Sequence, residues 1–555
     1  KPLECYRFIY WLTSGMNLMD LFKIVYRRVY YRFIRMLLGR NNNYYYPSSI
    51  KALLSEYDKN AFIESKTLEK NLFYDRNYSA PKSIQLASII YPVINKKIDW
   101  NNNFIDSEDE ESLHRWNWLI MLASDKKFNK LKLSWLLYMQ KDWIKSFQDE
   151  VRLPNRKMCK FLRWESYSIS ERLSNSVILF HCYDCKPDSQ VHQALLDQAT
   201  LLTTRIEYLG DYTCNHIINN ARALYLIGTY FDYDYFNELA REIFFLELPK
   251  FVTGDGFLRE GSSHYQLLFT RWMLEVAYFA TVSNDMRFKK FFEPYLKNLI
   301  CQSSFFFVRS AECKTQIPLF GDISPDFPPE WLINMLDTID GSFEKNEMLP
   351  EKSWNRLWSL EKNPTKKIGL NNVEILSKRA IQTYPDSGWY KFLHGPFEIF
   401  IRLDEDGVPN YVGHHHQDSG HFCLYYEGIP ILVDGGRLDY QNSFGVEPEA
   451  HNTLSLNGLG LVPRKADRFP RSYSNCIQSI KYKLDKDYLL ITLTSNGFSR
   501  IQTGLIWTRS LLINSSKMKM IDEFKGKGDF NISSYLHFAV GTKISDDNSG
   551  NWECK

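Results

Sequence analysis

The sequence predicts an α+β chain of two main domains, a helical toroid or α-solenoid followed by an antiparallel β-sandwich. Between about Ser112 and Trp358, apolar residues recur at three- and four-residue spacing, segment after segment, with short polar connections. From Ser387 onward the pattern changes to short alternating or β-branched runs. Turn dipeptides punctuate those runs, among them Asp406-Gly407, Glu427-Gly428 and Asn457-Gly458. A chain of 555 residues, 44% hydrophobic and 24% charged, has apolar surface for more than one core.

Residues 1–110 read as an N-terminal helical and irregular segment. Within it, residues 17–40 mix aliphatic residues with Lys23, Arg27, Arg28, Arg32, Arg35 and Arg40, too much charge to span a bilayer. The stretch is either a basic amphipathic helix in peripheral contact with a membrane or an ordinary helix packed on the domain. No clear signal peptide precedes it, and Met16 is a candidate start. Residues 42–110, rich in Asn, Tyr, Pro and Ser, read as loops with short ordered pieces. The toroid is placed at 111–385, with helices expected at 131–151, 170–179, 191–209, 216–231 and 270–282. No fixed-period repeat is visible, which disfavours a regular solenoid. The sandwich is placed at 386–555. Its strands are expected at 390–394, 397–403, 422–426, 429–434, 453–456, 488–494, 505–512, 517–524 and 535–540. The last run lies so near Lys555 that the sandwich is expected to lack its final strands.

The net charge of +3 and the lack of a sustained basic stripe elsewhere in the chain speak against a nucleic-acid partner and are compatible with an acidic polymer. Aromatic residues at 15% fit either large cores or rings that stack on sugars. Ten cysteines follow no framework spacing, and Cys182-x-x-Cys185, with His181 and His192 nearby, reads as incidental rather than as a zinc site. Free thiols suit a reducing compartment. Cytoplasm and periplasm both stay open, as does the oligomeric state.

Residues with chemical potential fall into two groups. In the β half, four of the twelve histidines lie between His414 and His421. On an extended segment His414, His416 and Asp418 share a face. Asp434 ends an apolar run and needs a partner if buried. Together with His451 on a neighbouring strand these residues make either a zinc set or a hydrogen-bonded cluster. In the helical half, Asn215-His216, Asp255-Gly256, Glu260 with Ser262 and Tyr265, and Trp164-Glu165 each precede a helix and each also has a plain reading as capping or loop residues.

In combination these pieces resemble the bacterial heparinase II/III-like family of polysaccharide lyases. The matching segments run in order from Arg163-Trp164-Glu165 with Arg172 through Asn215-His216, Asp255-Gly256, Glu260, Ser262, Tyr265 and Gly321-Asp322. They continue with His414-x-His416-x-Asp418, Val433-Asp434-Gly435-Gly436 with Tyr440, and Ala450-His451-Asn452-Thr453. The resemblance implies an incomplete α/α toroid joined to an antiparallel β-sandwich, with the cleft between them. It implies a structural zinc held by His416, Asp434 and His451. It also implies β-elimination on a uronic-acid-containing polysaccharide, with Asn215, His216, Tyr265 and His414 as catalytic candidates and Trp164, Glu260 and Tyr440 as substrate-binding candidates. Asn215 suits neutralisation of the uronate carboxylate. Tyr265 suits the acid at O4, and the base lies among Tyr265, His216 and His414. Glu447 and Glu449 stand where relatives often carry basic residues, and His421 where they are usually apolar. A glycoside hydrolase, which needs two carboxylates about one bond, and a non-catalytic polysaccharide-binding protein of exopolysaccharide assembly are the competing readings. Heparan-like chains, alginate-like chains and a bacterium's own exopolysaccharide all fit as substrates, in endo or exo action.

Overall fold

The computed structural model describes residues 46–57, 78–152, 161–209, 213–308, 315–336, 351–359, 361–370, 379–403, 413–437, 444–462, 478–546 and 552–554. The basic stretch 17–40, Tyr440 and the Asp406-Gly407 turn lie outside these residues. Among the described residues no helix is long and apolar enough to cross a membrane.

The helices are α1 (Ser48–Tyr57), α2 (Ser107–Arg115), α3 (Asn117–Ala123), α4 (Lys130–Arg152), α5 (Ser166–Cys182), α6 (Ser189–Thr203), α7 (His216–Phe231), α8 (Asp234–Phe251), α9 (Ser263–Val282) and α10 (Met286–Phe305), followed by shorter turns of helix. Two or three residues link α7 to α8 and α9 to α10, so the members of each pair pack as antiparallel neighbours. Both ends of α7 are written locally. Asn215 occupies the N-cap position and Asp232 takes a left-handed conformation at the other end. Helix α9 starts where Ser262 Oγ accepts from the Tyr265 amide. It is buried on all sides, the signature of a central helix.

Besides the short pairs β1 (Ser83–Gln85) with β2 (Ile90–Pro92) and β8 (Leu454–Leu456) with β13 (Ile532–Ser534), the strands form a five-stranded antiparallel sheet, β3 to β7 in sequence order, and a four-stranded sheet in the order β12-β11-β10-β9. The five-stranded sheet comprises β3 (Ile381–Tyr384), β4 (Trp389–His394), β5 (Phe397–Arg402), β6 (His421–Tyr426) and β7 (Ile429–Leu432). The four-stranded sheet comprises β9 (Gln478–Leu484), β10 (Leu489–Ser495), β11 (Ile506–Ile513) and β12 (Met518–Lys525). Every residue of β5 is buried. Phe397, Ile399 and Ile401 enter the sandwich core while Phe400 joins the toroid core, as a period of two requires for a sheet covered on both faces. The outer sheet alternates buried or half-buried with exposed residues along β12. The β6–β7 hairpin turns on Glu427-Gly428, both at positive φ, which matches the twist of the flanking strands.

Lys391 of β4 fastens the domains together. Its fully buried ammonium donates to the Phe305 and Phe307 carbonyls at 3.1 and 3.0 Å, at the end of α10, and pairs with Glu398 at 2.6 Å. The toroid followed by an antiparallel sandwich is the architecture read from the sequence. The expected strand at 535–540 is instead a single bridge, Leu432 to Phe538, beside a short β13 (Ile532–Ser534).

Candidate active site

Three chain segments meet where the domains touch: the loop before α9, residues 320–323, and residues 413–416. The His414 amide donates to the Glu260 carbonyl and the Asp322 amide to the His414 carbonyl, both at 2.8 Å. Ser262 Oγ donates to the Asp322 carbonyl at 2.7 Å. Glycine is required at two of the crossings. Gly261 and Gly321 have φ of 69° and 73°. A side chain at Gly321 would start 2.6 Å from the His414 carbonyl oxygen, and one at Gly261 would start 2.8 Å from the His415 Cβ.

This junction gathers Asn215, Tyr265, His414 and Glu260. His414 is the hub. Its Nδ1 lies 3.0 Å from Asp322 Oδ2, and its Nε2 lies 3.2 Å from Asn215 Nδ2 and 3.4 Å from Glu260 Oε2. The Tyr265 ring stacks on the imidazole with centroids 3.5 Å apart and planes 13° from parallel. Asn215 is fully buried, and its amide donates to Glu260 Oε1 at 2.9 Å. Glu260, also fully buried, orients these groups rather than presenting itself to a substrate.

His216 faces the same region from the first turn of α7. Its Nδ1 is 3.0 Å from Glu207 Oε2 and 4.0 Å from Glu165 Oε1, and about a third of the side chain is open. Burial opposes charge on this imidazole, but the Cys214 sulfur and the Glu207 and Glu165 carboxylates outweigh it and hold the ring well above its ordinary range. Burial pushes the Cys214 thiol itself up, so the carboxylates carry the charge at neutral pH. The two carboxylates therefore favour the protonated form of His216. A raised folded-state value adds stability that is complete below about pH 6.5 and is lost as the pH climbs through the raised value. Replacement of Glu207 by glutamine is expected to move the His216 proton loss to lower pH, read by NMR titration of the imidazole. An unchanged midpoint would assign the shift to other groups. Ligand atoms of Glu165, Glu207 and His216 lie within 4.8 Å of one another, a group that could hold a metal ion.

The β-domain histidines form a second layer behind His414. Asp322 Oδ1 accepts from His416 Nε2 at 2.8 Å, and Arg437 Nη1 lies 3.3 Å from the same oxygen. Burial works against the Asp322 charge, but the hydrogen bonds from His414 and His416 hold the carboxyl well below the usual range. Asp434 Oδ2 lies 3.0 Å from His451 Nδ1 and 3.1 Å from His421 Nε2. The Asn452 amide donates to His421 Nδ1, so the His421 proton sits on Nε2. This explains His421, a buried donor to Asp434. The His416 and His451 rings lie 5.2 Å apart, and His416 Nδ1 and His451 Nε2 are buried without a hydrogen-bond partner.

Trp164 is not a sugar platform. It is fully buried, donates to Glu150 Oε2 at 2.6 Å and packs edge-on against Trp143. Its neighbour Glu165 is the residue that faces His216. Glu207 and the bridging role of Asp322 escaped sequence reasoning. Glu207 stands in no motif, and Asp322 carried only its place beside Gly321.

Residues 30–349 match the family described as Heparinase II/III N-terminus, and residues 377–552 match Heparinase II/III-like, C-terminal. A search of curated proteins finds no match. Among solved structures, the chain is similar to a heparinase III, with 17% identity and a TM-score of 0.59 over 90% of this chain and 78% of that one. It is similar to the heparinase III BT4657 gene product, with 16% identity and a TM-score of 0.50 over 90% and 77% of the two chains. The heparan sulfate lyase HepC from Pedobacter heparinus is 17% identical over 94% of this chain and 76% of its own, with a TM-score of 0.48. With both halves matched and the two-domain architecture in place, the chain belongs to the heparinase II/III family.

Proposed function

We propose that this chain is a polysaccharide lyase that cleaves a uronic-acid-containing polymer by β-elimination. The observation that carries the reading is His414, stacked on Tyr265 and within 3.2 Å of the Asn215 amide nitrogen. Elimination removes the proton on C5 of a uronate and expels the group on O4. The substrate carboxylate must lose the effect of its charge for the C5 carbanion to form. Asn215 and His216 stand together at the N-terminus of α7, where the helix also favours an anion. We take the base from His414 and Tyr265, which stack on each other beside Asn215, whereas His216 is tied to Glu207. His414 takes the C5 proton at Nε2 and the Tyr265 hydroxyl protonates O4. The C5–H electrons become the C4–C5 double bond and the C4–O4 bond breaks.

For the zinc expected on His416, Asp434 and His451 the support is two unpartnered ring nitrogens, while among the described residues the ligand atoms that gather within 4.8 Å of one another belong to Glu165, Glu207 and His216. His416 and His451 each tie one ring nitrogen to a buried carboxylate and leave the other unpartnered, the arrangement a carboxylate–histidine–metal relay uses. A zinc bound by His416, Asp434 and His451 would brace the cleft wall.

Of the carboxylates weighed for a hydrolase, Glu260 and Asp418 are buried, and Asp255 accepts from Thr253 and Ser387. The part-open pair near the site, Glu165 and Glu207, is engaged with His216. The test is incubation with a panel of uronic-acid polysaccharides, heparan sulfate and alginate included, followed by ultraviolet absorbance of the unsaturated uronate. A rise supports elimination. New reducing ends without absorbance would replace it with hydrolysis, and binding without cleavage would replace it with a carrier role.

A further inference from the structure

Asp322 belongs to the toroid, yet both of its carboxylate oxygens are used by histidines of the β domain. Oδ2 faces His414 Nδ1 at 3.0 Å and Oδ1 faces His416 Nε2 at 2.8 Å. The carboxylate is buried, and its own backbone is fixed by the His414 carbonyl on one side and Ser262 Oγ on the other. An ionised carboxylate only accepts, so the His414 nitrogen that faces it must carry a proton. On the far side of the ring, the Asn215 amide nitrogen only donates, so the Nε2 that faces it must offer its lone pair. These two closer contacts select the Nδ1–H tautomer, with Glu260 Oε2, 3.4 Å from Nε2, as the competing acceptor.

We propose that Asp322 is a positioning residue for the elimination: it locks His414 in the Nδ1–H form, so that the Nε2 lone pair stands ready on the cleft side beside Asn215 and Tyr265. The inference rests on the lyase reading for its consequence but not for its geometry. The site is also prepared for the proton once it arrives. Glu260 Oε2 is buried without a hydrogen-bond partner 3.4 Å from Nε2, and Asn215 Oδ1 is a second unpartnered buried acceptor on the residue that contacts that nitrogen. A proton taken from C5 onto Nε2 creates an imidazolium flanked by Asp322 on one side and Glu260 on the other. The stacked Tyr265, having given its proton to O4, recovers one from that Nε2 and closes the cycle with no net change in either residue. An asparagine in place of the orienting carboxylate offers a donor to the same nitrogen, the substitution that puts a triad histidine into the wrong tautomer in serine proteases.

The experiment uses the full chain labelled with 15N-histidine, with the His414 signals assigned by their loss in His414→Gln. The wild type is expected to show the Nδ1–H pattern for His414, and Asp322→Asn the Nε2–H pattern. The same pattern in both proteins would overturn the proposal. If Asp322→Asn does not fold, the wild type decides alone, because an Nε2–H pattern there is equally fatal. On heparan sulfate or alginate, whichever the wild type cleaves, Asp322→Asn is expected to lower kcat and kcat/KM together by about 10²–10⁴-fold with KM little changed. A rise in KM at constant kcat would make Asp322 a binding residue instead. Should the wild type cleave neither polymer, the nitrogen spectra still test the tautomer, and the lyase reading fails separately.

Discussion

Replacement of Tyr265 by phenylalanine is expected to lower kcat by about 10²–10⁴-fold, the usual worth of a positioned acid or base, with substrate affinity nearly unchanged. The substitution removes one oxygen and keeps the ring. Stacking on His414 at 3.5 Å therefore persists, and so does the start of α9, where the Tyr265 backbone amide donates to Ser262. The side chain is only 8% exposed, so the hydroxyl has little bulk water to substitute for it. Initial rates of unsaturated product, with KM and thermal unfolding measured in parallel, check the result. A loss below tenfold in a well-folded variant would remove Tyr265 from the proton-transfer step.

The largest effect on stability is expected away from the cleft. Arg222 of α7 is fully buried and binds Glu275 of α9 through Nε at 2.8 Å and Nη2 at 2.7 Å. Its Nη1 reaches Glu171 of α5 at 2.9 Å and Asn219 at 2.8 Å. Glu275 also accepts from Arg271 Nε at 2.8 Å. Three inner helices of the toroid are thus joined through charges that water does not reach. Arg222→Met would leave Glu171 buried without its cation, at a cost of about 3–5 kcal/mol. Denaturant unfolding of the variant measures that loss, and adding Glu171→Gln is expected to restore part of it because the stranded charge is gone. If the double variant is no more stable than the single one, packing of the arginine rather than charge balance holds the helices.

The fold was readable where local chemistry marks the boundaries. Helix α7 begins and ends where expected because its apolar periodicity runs the length of the segment and an αL residue closes it. The expected helix at 191–209 runs too far, since α6 stops at Thr203 with neither glycine nor proline to mark the break. Strand β9 escaped notice although Ile480, Tyr482 and Leu484 alternate with polar residues, because it is the sheet's edge and Lys481 and Lys483 give it the look of a surface loop. At the candidate site, Asn215, Tyr265 and His414 were named through the family resemblance, since each taken singly reads equally well as a capping or loop residue, and the structure brings the three together. Glu207 and Asp322 were not legible. Their roles exist only through space, across separations such as the 92 residues between Asp322 and His414. Trp164 misled for the opposite reason: nothing in its neighbours in sequence tells that the ring is fully buried, edge-on to Trp143 and under the Arg172 guanidinium.

The glycine crossings have a consequence for how the protein becomes active. During synthesis the toroid emerges whole before residues 413–416 exist, so Asn215, Tyr265 and Asp322 wait without the histidine they serve. Under the lyase reading, the newborn first half is expected to be catalytically silent however well it folds, and activity to appear only when the sandwich docks and His414 enters between Glu260 and Asp322. The same dependence runs backward. Prising the two halves apart at Gly261 and Gly321 would abolish turnover while both cores stay intact, so loss of activity on heating should precede loss of helix signal.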